Sequence, residues 1–222
     1  MRLFRHQRLA DPGLADPRLK PFWAAAALLW VAGLAACIII PVGEELFWIN
    51  AHRSVGADWF FSIATRLGEE WAYVGLVVVL LLYRYRTVWA LPLLGIAVTM
   101  LAHGSKAWFG HDRPYPYFTK LGLWHELKPV EGIELLRGAN SFPSGHTMSA
   151  FALYTFAALN LPRKPWVSCS LLAVAVATGL SRMYLLQHFL KDVVAGAALG
   201  IALGALTHLL VITVLKEKTA QA

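Results

Sequence analysis

Residues 166–215 read WVSCSLLAVAVATGLSRMYLLQHFLKDVVAGAALGIALGALTHLLVITVL, and this stretch decides the kind of fold the chain adopts. Two apolar runs, 166–181 and 189–215, are joined by only a few residues; the second is long enough to cross a hydrocarbon core of about 30 Å and the first, at 16 residues, falls just short of it. They read as consecutive membrane helices. Gly196, Gly200 and Gly204 recur every four residues in the second run, a spacing that suits close helix packing inside a bundle. Into this hydrocarbon-soluble sequence the chain sets Arg182, His188 and Asp192. A charged group beside a membrane span costs a few kcal/mol or more unless it is paired or faces water, so these three residues are functional candidates.

The rest of the chain agrees with a membrane protein. Of its 222 residues 58% are hydrophobic and 15% charged, too apolar a balance for an ordinary soluble domain. The formal net charge of +7 resides mostly in short basic clusters beside apolar runs, where it sets topology and meets anionic headgroups; nucleic acid is not an expected partner. Cys37 and Cys169 lie inside apolar runs and read as small buried residues rather than as a disulfide or metal set. Residues 1–20 form a polar tail with a Leu-Ala-Asp-Pro echo, and residues 22–42 form a first span, retained rather than cleaved because no small-x-small site precedes Glu44. Residues 43–70 mix Phe47, Trp48, Trp59, Phe60 and Phe61 with polar side chains and read as an interfacial helix. Further spans are expected at 71–83, 89–105 and 147–161, which with the first span and the two C-terminal runs makes a six-helix, all-α bundle in a single membrane-embedded domain over residues 1–222.

Basic residues in short loops give the orientation. The tail, Arg84 with Arg86, Arg163 with Lys164, and Lys216 with Lys218 all fall on one side if the six spans alternate, so both termini are expected in the cytoplasm. Segments 43–70, 106–146 and 182–188 then share the opposite face, which is periplasmic if the membrane is a bacterial inner membrane.

Two further stretches meet that face: residues 106–114, KAWFGHDRP, at the end of the third span, and 141–147, SFPSGHT, at the start of the fourth. Together with the opening stretch they supply Lys106, Arg113 and Arg182 as cations, Ser144 and Gly145 at a helix start, and His146 and His188 as titratable rings. That inventory suits a phosphoryl group. Three cations balance the charge on its oxygens, and backbone N–H groups at a helix N-terminus form an anion site that a glycine leaves open. His188 and Asp192 share one helical face if the last helix begins near His188. Asp192 can then bind one ring nitrogen and hold the other as an unprotonated nucleophile. Taken singly, the cations could be snorkelling side chains, Ser144 a helix cap, and His188 with Asp192 a structural polar pair.

Lys-x6-Arg-Pro at Lys106, Arg113 and Pro114, Pro-Ser-Gly-His at Pro143 to His146, and Ser-Arg-x5-His-x3-Asp at Ser181, Arg182, His188 and Asp192 together resemble the three-part signature of the type-2 phosphatidic acid phosphatase superfamily. The resemblance runs over about 48–205 with no departure at a signature position. It implies a metal-independent hydrolysis of a phospholipid or polyprenyl phosphate, with no cofactor. His188 attacks phosphorus to give a phosphohistidine, Asp192 orients it, and His146 protonates the leaving oxygen and then activates water. Lys106, Arg113, Ser144, Gly145 and Arg182 hold the phosphate. A lipid phosphotransferase would use the same residues, and a non-catalytic lipid-binding protein is the other alternative. Oligomeric state is not legible.

Among the remaining polar residues, His111 and Asp112 are expected in a solvated loop and His208 in an interhelical or interfacial polar contact, and Glu44, Glu45, Glu69 and Glu70 on a solvated face. No His/Cys/Asp/Glu set has metal-ligand spacing. The long loop 110–143, rich in aromatic and charged side chains, reads as a lid over the headgroup.

Overall fold

The computed structural model describes residues 13–82, 86–161 and 164–220, with the side chains of Arg86 and of 216–220 left aside. Arg2, Arg5, Arg8, Arg84 and Arg163, and the side chains of Arg86, Lys216 and Lys218, which carry much of the orientation argument, therefore lie outside the described residues. All regular structure among the described residues is helical. Four stretches, Pro17–Ile39, Thr87–Lys120, Pro165–Tyr184 and Leu190–Leu215, are long and apolar enough to cross a membrane.

The chain enters through two 3-10 turns, Gly13–Ala15 and Pro17–Leu19, so the end of the expected polar tail is ordered: Asp16 accepts from Arg18 N at 2.9 Å, and Trp23 Nε1 donates to Leu14 O at 3.0 Å. Helix α1, Lys20–Ile39, carries no charge after its first residue and buries only Phe22 and Ala26. Its remaining apolar surface faces outward, as suits lipid.

Residues 43–70 do not form one interfacial helix. They break into α2, Glu44–Ala51, and α3, Val55–Ala64, followed by a 3-10 turn, Thr65–Gly68. The break has a local cause: Ser54 takes extended backbone and its Oγ accepts from Ala57 N at 3.2 Å, capping a new helix. Trp48 and Trp59 point outward from these helices and Trp71 from the start of the next, an aromatic rim of the kind found at headgroup depth.

Helices α4, Glu70–Leu82, and α5, Ala90–Phe109, follow, then a loop containing the short α6, Pro114–Lys120, and a 3-10 turn, Trp124–Glu126. The bundle centres on α7, Gly145–Asn160, in which 12 of 16 residues are buried. Helices α8, Pro165–Tyr184, and α9, Leu190–Ala220, complete the fold. At 13 and 16 residues, α4 and α7 occupy the places of the expected second and fourth spans but are shorter than a full crossing.

The glycine stripe of α9 sets the closest packing. A Cβ at Gly196 would stand 2.7 Å from Ser144 O, and one at Gly204 2.5 Å from Ala152 O, so α7 and α9 meet backbone to backbone. This contact brings the head of α7 beside the head of α9, where the signature residues gather. Ser144 N donates to the Asp192 carbonyl at 3.0 Å and ties the two heads together.

Candidate active site

Three of the expected residues form a buried line at the start of α9. His188 lies in the turn between α8 and α9, two residues before the helix begins, yet the i, i+4 contact with Asp192 still forms: Nδ1 lies 3.3 Å from Asp192 Oδ2. Both side chains are almost wholly buried. Asp192 Oδ2 also accepts from Phe189 N at 3.0 Å and from Ser141 Oγ at 2.5 Å, and Ser141 Oγ lies 3.3 Å from His188 Nδ1. A carboxylate beside Nδ1 places the ring proton there, and Nε2 then presents a lone pair. Arg113 Nη1 sits 3.4 Å from Nε2, on the side where an anion would arrive. Burial first, then the cations Arg182 and Arg113, hold the His188 imidazole below its ordinary value, to about 4, against the opposing pull of Asp192. The ring is thus neutral at physiological pH, the form a nucleophile needs.

The cations converge on the same place. Lys106 projects from α5, which runs farther than the expected third span, so the lysine is within the helix rather than in a loop after it; its Nζ is 3.6 Å from where a Cβ on Gly145 would stand. Arg113 caps the start of α6, 5% exposed, with Nε donating to Asn140 Oδ1 at 2.6 Å and Nη1 to Gln187 O at 3.2 Å. Arg182 belongs to the last turn of α8, is 6% exposed and donates through Nη1 to Thr65 Oγ1. Its Nε is buried without an acceptor among the described residues, which is how an arginine built for an anion looks. Ser144 is the N-cap of α7: its Oγ accepts from Thr147 N at 3.4 Å and Thr147 Oγ1 at 2.8 Å, leaving its own O–H free to donate. Gly145 and His146 begin the first turn of α7, where backbone N–H groups have no carbonyl partner within the helix and can meet an anion.

His146 stands apart from the buried line, its side chain 37% exposed, with Nε2 3.7 Å from Glu69 Oε1. Burial first, then the positive charges of Arg182, Lys106 and Arg113, hold it below its ordinary value. His146, Gly145 and Lys106 form one end of a groove of about 640 Å³ walled by α4 and α5 residues such as Tyr73, Val77, Leu91 and Val98. The groove reaches from Lys106 back to Leu91, about 22 Å of helix.

Several residues that sequence reasoning passed over take part. Ser141 opens the SFPSGHT stretch with no role legible from its spacing, and Asn140, Thr65 and Gln187 carry no sequence signal. Glu45 is not on a solvated face: it is 8% exposed, accepts from Gly43 N at 2.8 Å and Leu190 N at 3.0 Å, and so caps the helix that follows His188. Asx-type or capping residues far apart in sequence leave no local pattern. His111 contributes its carbonyl, which accepts from Ser141 N at 2.9 Å, and His208 makes the expected interhelical contact, 3.3 Å from Asn160 Oδ1. The loop expected as a lid is stitched down: Asn50 pairs with the backbone of Lys128 through Nδ2 at 2.8 Å and Oδ1 at 2.9 Å, Arg53 donates to Lys128 O, and Gln187 Nε2 donates to Glu134 O at 2.8 Å. Arg53 in turn grips Asp58 at 2.7 Å, and that hydrogen bond holds the Asp58 carboxyl below its usual range. Among the described residues no three His, Cys, Asp or Glu side chains gather as a metal set.

The sequence pattern of the PAP2 superfamily matches residues 87–215. A 71-residue segment is 46% identical to the lipid A 1-phosphatase of Porphyromonas gingivalis, covering 32% of this chain and 16% of that protein. Another comparison gives 41% identity over 71 residues to phosphatidylglycerophosphatase B of Bacillus subtilis, covering 28% of this chain and 35% of that one. Each match thus takes in well under half of the relative's length. Among solved structures, Aquifex aeolicus LpxE superposes with a TM-score of 0.62 at 29% identity, over 74% of this chain and 92% of that one. The transmembrane PAP2-type phosphatidylglycerolphosphate phosphatase of Bacillus subtilis shares the fold at 0.59 and 24% identity, over 90% and 97%. With four span-capable helices and this fold, the chain is an integral membrane protein.

Proposed function

The chain belongs to the PAP2 superfamily, and from that premise we propose that it hydrolyses a phosphate or diphosphate monoester of a membrane lipid, without a metal, at the non-cytoplasmic face. The observation that carries this reading is the conjunction at the heads of α7 and α9. A neutral His188, oriented by Asp192 and Ser141, has Arg113 against its Nε2, and Lys106, Gly145 and His146 beside it close one end of an apolar groove about 22 Å long. A groove of that length and lining suits an acyl or prenyl chain lying along the bilayer normal, with its phosphate at headgroup depth.

In this mechanism Lys106, Arg113 and Arg182, the Ser144 hydroxyl and the N–H groups at Gly145 hold the phosphate and offset charge on its oxygens. His188 Nε2 attacks phosphorus, forming the N–P bond as the P–O bond to the lipid breaks, and His146 gives its proton to the departing oxygen. The imidazolium character that develops on His188 is balanced by Asp192. His146 then takes a proton from water, the water oxygen displaces His188 from phosphorus, and inorganic phosphate leaves.

The relatives named above act on lipid A 1-phosphate and on phosphatidylglycerophosphate by their names, so those two head the test panel, with phosphatidate and undecaprenyl diphosphate beside them. Purified protein in detergent is expected to release phosphate from at least one of these in excess EDTA, and His188→Ala to release none while remaining folded. Turnover by His188→Ala, or activity lost to EDTA and restored by Mg²⁺, would overturn the mechanism. Phosphate appearing on a second lipid instead of in solution would mark a phosphotransferase.

A further inference from the structure

The segment between α3 and α4 is built into the site as a fourth arm, outside the three signature blocks. Thr178 Oγ1 donates to Ala64 O at 3.1 Å, Arg182 donates to Thr65 Oγ1, and Tyr154 OH donates to Leu67 O at 3.0 Å. Gly68 is pressed so closely on the first turn of α7 that a Cβ there would stand 2.7 Å from His146 O and 2.8 Å from Thr178 Cγ2. Only glycine permits that approach. The next residue is Glu69, whose N–H donates to Arg66 O at 3.2 Å, and its carboxylate oxygen reaches to 3.7 Å from His146 Nε2. The backbone position from which the Glu69 side chain reaches His146 is therefore set by close packing on α7 and α8.

We infer that Glu69 is a positioning residue for the leaving-group step: once bound phosphate offsets the cations, its carboxylate, 3.7 Å from Nε2, favours the protonated form of His146 for transfer to the departing oxygen. This deepens the reading of His146 as the acid and rests on it. The need follows from the charges that face His146 on every side. Lys106 comes from α5, Arg113 from the head of α6, Arg182 from α8 and His188 from the α8–α9 turn, while His103 of α5 and Glu70 of α4 line the adjoining groove. Cations that suit a phosphate oppose a proton on the neighbouring imidazole. An acid in that field needs its own negative partner. The two histidines thus have separate carboxylates with opposite duties. Asp192 is buried against His188 Nδ1 and keeps Nε2 free for attack; Glu69, 33% exposed, sits beside His146 Nε2 at ion-pair distance and beyond hydrogen-bond reach. When phosphate binds and offsets the three cations, the Glu69 charge remains to favour the imidazolium. As the proton passes to the leaving oxygen, Glu69 is left beside a neutral ring that can next accept a proton from water.

The experiment compares wild type, Glu69→Gln, Glu69→Asp and His146→Ala on two substrates, dioctanoyl phosphatidate, whose alkoxide needs a proton to leave, and 4-nitrophenyl phosphate, whose phenolate does not. Rates are taken from pH 5 to 9, with thermal melts as a control for folding. Glu69→Gln is expected to lower kcat for phosphatidate about tenfold at pH 7.5 with KM little changed. The alkaline limb of its profile moves down by about one pH unit, and 4-nitrophenyl phosphate is turned over at close to the wild-type rate. Glu69→Asp restores part of the loss. Equal losses on both substrates with an unmoved limb, or no loss at all, would overturn the role of Glu69. His146→Ala separates the two layers of the argument. Because His146 also activates water for both substrates, this comparison is made on the first-turnover burst of released alcohol or phenolate. If His146→Ala spares the aryl burst while Glu69→Gln does not distinguish the two substrates, only the inference about Glu69 fails; if it damages both bursts equally, the assignment of His146 as the acid fails first.

Discussion

Replacing Asp192 by Asn isolates what its charge does. Three donors, Ser141 Oγ at 2.5 Å, Phe189 N at 3.0 Å and His188 Nδ1 at 3.3 Å, converge on one oxygen, Oδ2, while Oδ1 is buried without a donor among the described residues. An asparagine can place its carbonyl at the Oδ2 position and its NH₂ at the other, so all three hydrogen bonds and the His188 tautomer survive. What is lost is the negative charge that balances His188 as the N–P bond forms. At 3.3 Å and an effective dielectric of about 20 that attraction is up to about 5 kcal/mol, of which the amide dipole retains part. A loss of about 3–4 kcal/mol corresponds to a kcat lower by about 10²–10³. Asp192→Ala goes further, because it also strands Ser141, Phe189 N and His188 Nδ1 in a dry site, and it lowers the melting temperature as well. The assay is phosphate release from dioctanoyl phosphatidate in mixed micelles, with inhibition by inorganic phosphate as the measure of ground-state binding, expected to change by no more than about threefold. A loss below tenfold for Asp192→Asn would refute the argument that its charge is used in the transition state.

Other consequences of the structure are as direct. Because the folded pKa of His188 lies below the unfolded value, near 4 against 6.5, the contribution is present above pH 6.5 and is lost as pH falls toward 4, about 2 kcal/mol by pH 5. Thermal melts should fall on acidification by less in His188→Asn than in the wild type, and parallel curves would contradict the buried neutral ring. Asn50→Ala releases the 127–130 stretch from its backbone pairing and should raise KM about fivefold with kcat little changed; a collapse of kcat instead would mean the loop shapes the catalytic residues themselves. Gly200→Ala forces a methyl into the Met148 carbonyl and Phe151 Cβ and should destabilise by about 1–3 kcal/mol in melts or denaturant titrations; an unchanged midpoint would refute the close approach of α7 and α9.

The parts of this site that the sequence displayed are those whose geometry is local. Four residues of helical spacing join His188 to Asp192, and Pro143 to His146 spell a helix start, so their relations survive without knowledge of the fold. The glycine stripe of α9 likewise announced close packing, and only the partner, α7, awaited the structure. What stayed hidden depends on approach across the bundle. Glu45 and Glu69 sit among polar and aromatic residues in a segment that looks interfacial, and their composition is that of a solvated face. Only the folding of α2 onto the start of α9, and of Gly68 onto α7, turns one into a helix cap and the other into a partner of His146. The break between α2 and α3 was legible in principle from Ser54 followed by Asp58, but an amphipathic reading of the whole stretch hid it. Helix ends were misjudged for a physical reason too: α5 and α8 run on past their apolar windows because Lys106 and Arg182 bury into the site instead of ending the span.

The central claim is that phosphorus is transferred to His188, and trapping that intermediate tests it most directly. Wild-type protein mixed with labelled lipid phosphate and quenched in alkali within a turnover should carry phosphate on His188 at Nε2, located by peptide mass spectrometry, and His146→Ala should accumulate more of it if water activation is slowed. Label on any other residue, or hydrolysis with inversion at phosphorus and no labelled His188, would contradict the account.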